Sequence, residues 1–389
     1  MRPNDIAIVG YSEIKNVVKS GQSNFDLSGA AFSKLMESTG LEPSKIDGLA
    51  VTMPLTETNA FYANYMCDAL GLSPTWLLLS ALGGCSASGG VARAVSAIRE
   101  GQCEIAVVLS SDNPTSRPRV PTGGYKSEYE NSVGVQGPSG FFGLLLSRYI
   151  AQYEFIPEAL GKLAIAQRDH AIMNENAVEK LRIPLTMKDY LDSRMISDPL
   201  RLFDCVMRCD GANAMLMMST EKARKMGFKK FVHPVAYAER SNHLGHTMQP
   251  DITETGFADA GPRALKQAGM TPKDIRIFAP YDDFTVALML KLEQIGFTER
   301  GKGCRYIMET DFSHKGTLPL NTSGGQISAG QPGLAGGGLN MVEAVRQLMG
   351  EAGERQVENA KNAMVTGIGG IPYGRNWSIS NVTILEPGK

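Results

Sequence analysis

The chain has 389 residues, of which 43% are hydrophobic and 20% are charged, and its formal net charge at neutral pH is −1. This length allows a large core in two domains or one duplicated unit, and the near-neutral charge gives no electrostatic reason to expect nucleic acid or a membrane as partner. We find no pattern of a secretory signal and no apolar run long enough to span a bilayer, so we predict a cytoplasmic protein.

The first 110 residues alternate between strand and helix patterns. The apolar spacing predicts strands over 6–10, 48–51 and 105–109 and helices over 26–39, 57–70 and 91–101. Such alternation is typical of an α/β protein with mostly parallel strands covered by helices. Functional residues in these folds gather at strand ends and helix starts.

Cys85 lies at or just before the start of the third predicted helix, with four glycines around it. Small neighbours let a substrate approach, and the helix dipole with its free N–H groups favours a thiolate over a thiol. We therefore predict that Cys85 is a nucleophile, with an inert buried cysteine as the alternative. The other five cysteines form no CxxC pair, which predicts free thiols and no metal site in this chain.

Residues 114–200 interrupt the alternation with proline-, glycine- and arginine-containing segments and three predicted helices, over 144–155, 157–176 and 186–192. An insertion of this size between strands is usually a cap or loop region that covers a site.

The second half repeats the first. A helix over 258–269, the segment 270–276 and a strand over 277–279 match the first half at an offset of 229. Glycine-rich 324–338, a helix over 339–348 and a strand over 363–366 repeat the order found around Cys85. We predict an N-terminal half, 1–228, that carries the insertion, and a C-terminal half, 229–389.

Four motifs together resemble the thiolase superfamily over nearly the whole chain: 83–89, 280–285, 321–326 and 367–370. Residues 199–205 and 210–212 resemble its sterol-carrier-protein-x, or lipid-transfer-like, branch. The resemblance implies a five-layer αβαβα fold built from two duplicated βαβαβαββ halves. It also implies acyl-CoA substrates, coenzyme A as co-substrate and no permanently bound cofactor.

Three departures from the family bear on catalysis. Gln331 stands where thiolases have a histidine, about Gly367 where they have a second cysteine, and Tyr281 where they have an asparagine. Gln331 could donate a hydrogen bond to an oxyanion, and Tyr281 could do the same or act as an acid. His314 is the best remaining imidazole candidate, unless it is a surface-loop residue. By resemblance, the substrate-binding residues would be Asp282, Ser323, Gly324, Gly325, Gly369, Gly370 and Tyr373.

Three functions stay open. The first is a thiolase that cleaves a β-ketoacyl-CoA through an acyl group on Cys85, with 2-benzoylsuccinyl-CoA, giving benzoyl-CoA and succinyl-CoA, as the candidate substrate. The second is a retro-aldolase of the steroid side-chain type, which Tyr281 suggests. The third is a non-catalytic acyl-CoA or lipid-binding scaffold. The resemblance further implies a homodimer, joined by a small zinc-ribbon and OB-fold subunit into a heterotetramer, with zinc confined to that partner.

Overall fold

The computed structural model describes residues 5–118, 132–135, 137–245, 251–371 and 376–388. Its strands are β1 (Ile6–Glu13), β2 (Gly48–Thr52), β3 (Trp76–Ser80), β4 (Ile105–Asp112), β5 (Met195–Ser197), β6 (Leu200–Arg201), β7 (Gly211–Ser219), β8 (Val232–Ser241), β9 (Ile277–Ala279), β10 (Ala363–Gly369) and β11 (Ile379–Pro387). Its helices are α1 (Asn24–Thr39), α2 (Tyr62–Leu70), α3 (Ser86–Arg99), α4 (Gly137–Gln152), α5 (Pro157–Ile172), α6 (Met187–Asp192), α7 (Thr220–Lys225), α8 (Phe257–Ala268), α9 (Thr285–Ile295), α10 (Gly303–Glu309), α11 (Gly325–Ala329) and α12 (Gly336–Leu348).

Nine strands form one sheet in the order β3-β2-β4-β7-β1-β8-β11-β10-β9. Strand β2 is parallel to β3 and β4, and β9 is parallel to β10, whereas the five central pairings are antiparallel. The prediction of mostly parallel strands is therefore wrong. It failed because β7, β8 and β11 each pair antiparallel with both of their neighbours, and the apolar pattern did not reveal β8 and β11.

The pairing directions are the same on both sides of the contact between β1 and β8, where Ile8 pairs with Val232, except that the edge strand β3 has no counterpart in the second half. The connection from α1 to β2 and the connection from α8 to β9 follow the same course. Gly40 and Gly269 end their helices with φ of 66° and 67°, a left-handed conformation that glycine adopts at low cost. The boundary at residue 228 stays a prediction, and part of the predicted insertion, 119–131 and 136, lies outside the described residues.

Among the described residues the hydrophobic core has three large parts and two small ones, and the sheet halves and helices around the large parts form five layers. Helices α1 and α2 cover one face of the first half of the sheet, and α8 and α9 cover the outer face of the second half. Helices α3 and α12 lie between the two halves of the sheet and contact each other. Helices α4 and α5 of the insertion pack on the outer side of the second half. In the part of the chain that the structure describes, no helix is long and apolar enough to cross a membrane.

Candidate active site

Cys85 ends a 3₁₀ turn, Gly83–Cys85, and immediately precedes α3. Its side chain is fully buried. The Sγ atom lies 3.6 Å from the carbonyl oxygen of Ile379, to which the thiol donates a weak hydrogen bond. Asn381 donates from Nδ2 to the Cys85 carbonyl oxygen over 3.1 Å. The predicted position at a helix start is thus observed, but the thiol is directed towards β11.

The electrostatic surroundings of Cys85 keep the thiol protonated. Burial raises the pKa of Cys85 above its ordinary value, and the carboxylate of Glu239 raises it further. The ammonium group of Lys291 acts in the opposite direction and does not compensate. Burial thus acts against the thiolate that the helix start was expected to favour.

A cavity of about 670 Å³ opens beside the glycine turn that precedes α3. Most of its surface is apolar, with side chains from the insertion on one side and backbone from the ends of β10 and the 83–84 turn on the other. Gly83 and Gly84 line it, but Cys85 does not. The polar groups that do reach it include Arg168, Tyr281, Asp283 and Gln331.

Tyr281 and Gln331 form a hydrogen-bonded pair in this cavity. Tyr281 follows β9, and its ring packs so closely against Gly84 that a Cβ atom there would overlap it. Nε2 of Gln331 donates to the Tyr281 hydroxyl oxygen over 2.9 Å. No other hydrogen bond to that hydroxyl is found among the described residues, so its proton is available to a ligand. Burial, reinforced by the neighbouring carboxylate of Asp283, raises the pKa of Tyr281 well above its ordinary value. Tyr281 therefore stays protonated and suits the role of hydrogen-bond donor.

Asp283 and Lys291 are buried charged residues that the sequence analysis did not single out. Asp283 lines the cavity, and its Oδ1 atom has no hydrogen-bond partner in the part of the chain that the structure describes. Burial raises the pKa of Asp283 to about 7, although the nearby Lys291 acts to lower it. Lys291 donates to the carbonyl oxygen of Tyr281, and burial lowers its pKa to about 8. A carboxyl group with a pKa near neutrality can accept and return a proton during turnover.

The motif around Asp282 supports the site from behind. The carboxylate of Asp282 accepts hydrogen bonds from the backbone N–H groups of Gln326, over 2.8 Å, and Ile327, over 3.1 Å, in the short helix α11. Gly325 abuts the same carboxylate, and Gly324 packs on Ala171. The predicted residues of this motif do not line the cavity: Asp282, Ser323, Gly324 and Gly325.

The remaining predicted residues fall in three places. His314 is half-buried beside His170, with 5.9 Å between ring centroids, and does not line the cavity. Gly370 lines the cavity, and Gly369 abuts the carbonyl group of Leu82 next to it. Tyr373 lies outside the described residues. The structure thus brings Tyr281, Gln331 and Gly370 to one cavity and leaves His314 away from it.

Gly367, the position of the second cysteine in typical thiolases, has no room for a side chain. A Cβ atom there would lie 2.5 Å from Oδ1 of Asn381 and 2.8 Å from the Cα atom of Cys85. Asn381 therefore fills space that a second thiol would need. Among the described residues that line the cavity there is no histidine, and the cysteine among them is Cys205, which follows the second strand of the insertion.

The family model and two of the relatives that are similar to this chain carry the names thiolase or aldolase. A family model described as "Thiolase C-terminal domain-like" matches residues 238–385. The chain is 30% identical to the steroid side-chain-cleaving aldolase of Thermomonospora curvata over 95% of this chain and 96% of that protein. It is 26% identical to the benzoylsuccinyl-CoA thiolase subunit BbsB of Thauera aromatica over 77% of this chain and 78% of that subunit.

Among solved structures, the Ltp2-ChsH2(DUF35) aldolase is similar over 98% of both chains, with a TM-score of 0.84 and 26% sequence identity. The names of these relatives divide between aldolase and thiolase.

Proposed function

The chain belongs to the thiolase superfamily, in the branch related to sterol-carrier-protein thiolases, and from this membership and its cavity we propose that it cleaves a carbon–carbon bond of a β-hydroxyacyl-CoA by a retro-aldol reaction. The family and the thiolase-like α/β fold agree with the sequence prediction. Aldolase and thiolase relatives are both present, so the choice between the two reactions depends on the residues of this chain.

A retro-aldol cleavage only relocates one proton. A base removes the proton of the β-hydroxyl group, the electron pair of the Cα–Cβ bond moves onto the thioester as an enolate, and the β-carbon leaves as a carbonyl compound. The enolate then takes a proton at Cα and becomes a shorter acyl-CoA. The reaction needs one base and one donor to the enolate oxygen, and no free coenzyme A.

Two residues of the cavity have the properties that this reaction needs. We assign Asp283 as the base, because burial raises its pKa to about 7 and its Oδ1 atom is unpartnered among the described residues. We assign Tyr281 as the donor to the enolate oxygen. Gln331 donates a hydrogen bond to the Tyr281 hydroxyl oxygen, so the proton of that hydroxyl group remains available for the substrate. Lys291 would balance the negative charge of Asp283 when that carboxyl group is ionised.

The single observation that carries the proposal is the contrast between Tyr281 and Cys85. Tyr281 lines the cavity, and Gln331 orients its hydroxyl group through a hydrogen bond. The Cys85 thiol is buried and does not line the cavity. It donates a hydrogen bond to a backbone carbonyl group, and burial raises its pKa. An acyl-enzyme mechanism requires a thiolate that meets the substrate, whereas a retro-aldol mechanism does not.

Thiolysis through Cys85 is the second candidate. A cysteine at the start of a central helix, with a buried ammonium group among the charges that act on it, favours this function. So does the similarity to BbsB, which suggests 2-benzoylsuccinyl-CoA as a substrate. In this mechanism the acyl group would move from Cys85 to coenzyme A as co-substrate, and the thiol would have to turn towards the cavity.

The assembly that we propose contains a homodimer and a small partner subunit. Strand β3 is the edge of the sheet and pairs with β2 alone among the described strands, while its apolar residues are half-buried. An apolar edge strand of this kind is suited to pairing with a second copy. The similar aldolase structure carries the name of a DUF35 component, which supports a small partner subunit for this chain, giving a heterotetramer.

The need for coenzyme A separates the two candidates. Purified protein, with any co-purified partner, would be mixed with 3-hydroxyacyl-CoA and 3-ketoacyl-CoA substrates, with and without free coenzyme A, and the acyl-CoA products measured by liquid chromatography. We expect cleavage of the hydroxyacyl substrate without free coenzyme A. We also expect Cys85→Ala to retain most activity, as should the buried control Cys103→Ala. Activity that needs coenzyme A, disappears in Cys85→Ala and leaves an acyl group on Cys85 would instead establish thiolysis.

A further inference from the structure

Arg168 is a buried arginine in the wall of the cavity. It lies on α5, is 4% exposed as a residue, and lines the same cavity as Tyr281 and Asp283. A guanidinium group remains charged at neutral pH, and taking it out of water costs several kcal/mol unless an anion compensates. An anion is therefore expected close to the guanidinium group of Arg168.

Among the residues that the structure describes, none supplies a close anion to Arg168. Within the described ranges, no carboxylate lies within ion-pair distance of its guanidinium group. Its contacts are neutral and long: Nε donates to Ser328 over 3.4 Å, and Nη1 donates to the carbonyl oxygen of Ile183 over 3.3 Å. Its Cζ atom lies 5.8 Å from the ring centroid of Phe203.

Two carboxylates in the neighbourhood do not fill this role. Asp169, the next residue, is exposed and acts on Arg168 only through its charge at a distance. Asp283 lines the same cavity, but the charge that acts on it is that of Lys291. Burial lowers the pKa of Arg168 despite the attraction of Asp169, which is the behaviour of a cation without a paired anion.

We propose that Arg168 binds a carboxylate on the acyl group of the substrate, so that the cavity takes an acyl-CoA whose chain carries its own negative charge. This inference rests on the proposed function for the identity of the cavity as an acyl-CoA site, and it adds the class of acyl group. A carboxylate accepts two parallel N–H groups of a guanidinium, and the remaining apolar lining suits the rest of the chain.

A phosphate of coenzyme A is the other anion with the chemistry that Arg168 would recognise. Arg194 and Arg208 also line the cavity, and both are exposed, which places them where a hydrated phosphate would meet them. Arg168 differs because it is buried among apolar side chains. A carboxylate on the acyl chain can enter such surroundings at a smaller desolvation cost than a phosphate that carries more charge.

Binding of matched ligands tests the proposal without turnover. Succinyl-CoA and butyryl-CoA have chains of the same length, and only the first ends in a carboxylate; free coenzyme A reports the phosphates alone. We expect the wild-type protein, with any co-purified partner, to bind succinyl-CoA at least about tenfold more tightly than butyryl-CoA in calorimetry. Arg168→Met should remove that preference and leave the affinities for butyryl-CoA and coenzyme A within about twofold.

The control is Arg208→Met, which removes an exposed arginine of the same cavity and should keep the preference for succinyl-CoA. If Arg168→Met does not fold, the preference of the wild-type protein and of Arg168→Lys still decides the question. Equal binding of succinyl-CoA and butyryl-CoA by the wild-type protein would overturn the proposal. An equal loss of affinity for all three ligands in Arg168→Met would overturn it as well, and would assign Arg168 to a phosphate of coenzyme A. A protein that shows the preference but cleaves no hydroxyacyl-CoA would disprove only the retro-aldol function.

Discussion

Cys85 and Gly367 approach so closely that a Cβ atom on residue 367 would lie 2.8 Å from the Cα atom of Cys85. The same atom would lie 2.5 Å from Oδ1 of Asn381, whose Nδ2 atom donates to the Cys85 carbonyl group. The glycine is therefore required by packing, and the site cannot regain the second thiol of typical thiolases by one substitution.

Gly367→Cys should destabilise the protein and should not create thiolase activity. Overpacking of this kind costs about 1–3 kcal/mol of the free energy of unfolding, which chemical denaturation measures. The matched control is Gly29→Cys, because Gly29 lies in α1 with no atom within 4 Å of its added Cβ and should tolerate the change. A Gly367→Cys variant as stable as the wild type, or one that gains thiolysis, would contradict this account of the site.

The hydrogen bond from Gln331 to Tyr281 predicts that the two side chains act as one unit. Tyr281→Phe keeps the ring that packs on Gly84 and removes only the hydroxyl group, so turnover should fall by about 10²- to 10³-fold while the melting temperature changes little. Gln331→Ala should also lower turnover, because Tyr281 then loses the partner that orients it.

A double-mutant cycle tests the coupling of this pair. In the Tyr281→Phe background, Gln331→Ala should cause little further loss, since the group it orients is already gone. Independent, multiplying losses would mean that Gln331 contacts the substrate itself, as the sequence analysis proposed.

The sequence predicted those features of the fold, such as helix ends and turns, that depend on local signals. The left-handed glycines Gly40 and Gly269 end their helices as expected, and the glycine turn before α3 holds Cys85 at the expected place. These features follow from backbone conformation over a few residues, which the residue type reports directly.

What depends on tertiary packing could not be predicted in the same way. Strands β8 and β11 carry polar residues at buried positions and became evident only through their pairing. The protonation of Cys85 and the raised pKa of Asp283 result from burial that no local pattern reports. Asp283 could still have been suspected, because a second acidic residue after Asp282 is unusual in an apolar segment.

Asp283 predicts the pH dependence of turnover. Burial raises its pKa to about 7, so a larger fraction is ionised and able to accept a proton as the pH rises through that value. We expect kcat to increase from pH 6 to pH 8 and Asp283→Asn to lose at least about 100-fold in kcat.

The readout that identifies Asp283 as the base is the shape of the pH profile. The residual activity of Asp283→Asn should lack the rise near pH 7, while circular dichroism should show that the variant is folded. A variant that is slower but keeps the same pH profile would assign the titration to another group, and Lys291, with a pKa of about 8, would be the next to test.

The ion pairs of Glu343 lead to a further prediction, which concerns the pH dependence of the free energy of unfolding. Glu343 is buried on α12, where it bonds Nη1 of Arg346 over 2.5 Å, Nε of Arg355 over 3.1 Å and the hydroxyl of Thr322 over 2.8 Å. Burial acts to raise the pKa of Glu343, but the two arginines outweigh it and lower the pKa to about 2. Glu343→Gln would leave Arg355 without its buried anion and Arg346 with Glu13 alone, and should cost about 3–5 kcal/mol of the free energy of unfolding at pH 7.

The sign of the pH effect follows from that lowered pKa. The unfolded chain binds a proton at Glu343 near its ordinary carboxyl pKa, whereas the folded protein does so only near pH 2. The stabilisation by Glu343 is therefore complete above the ordinary value and is lost as the pH falls towards 2, so wild type and Glu343→Gln should converge there. The control is Glu221→Gln, which breaks the exposed ion pair with Lys225 and should cost no more than about 0.5 kcal/mol. If both variants lost the same small amount at pH 7, the buried network would not stabilise the contact of α12 with the Thr322 loop behind the cavity.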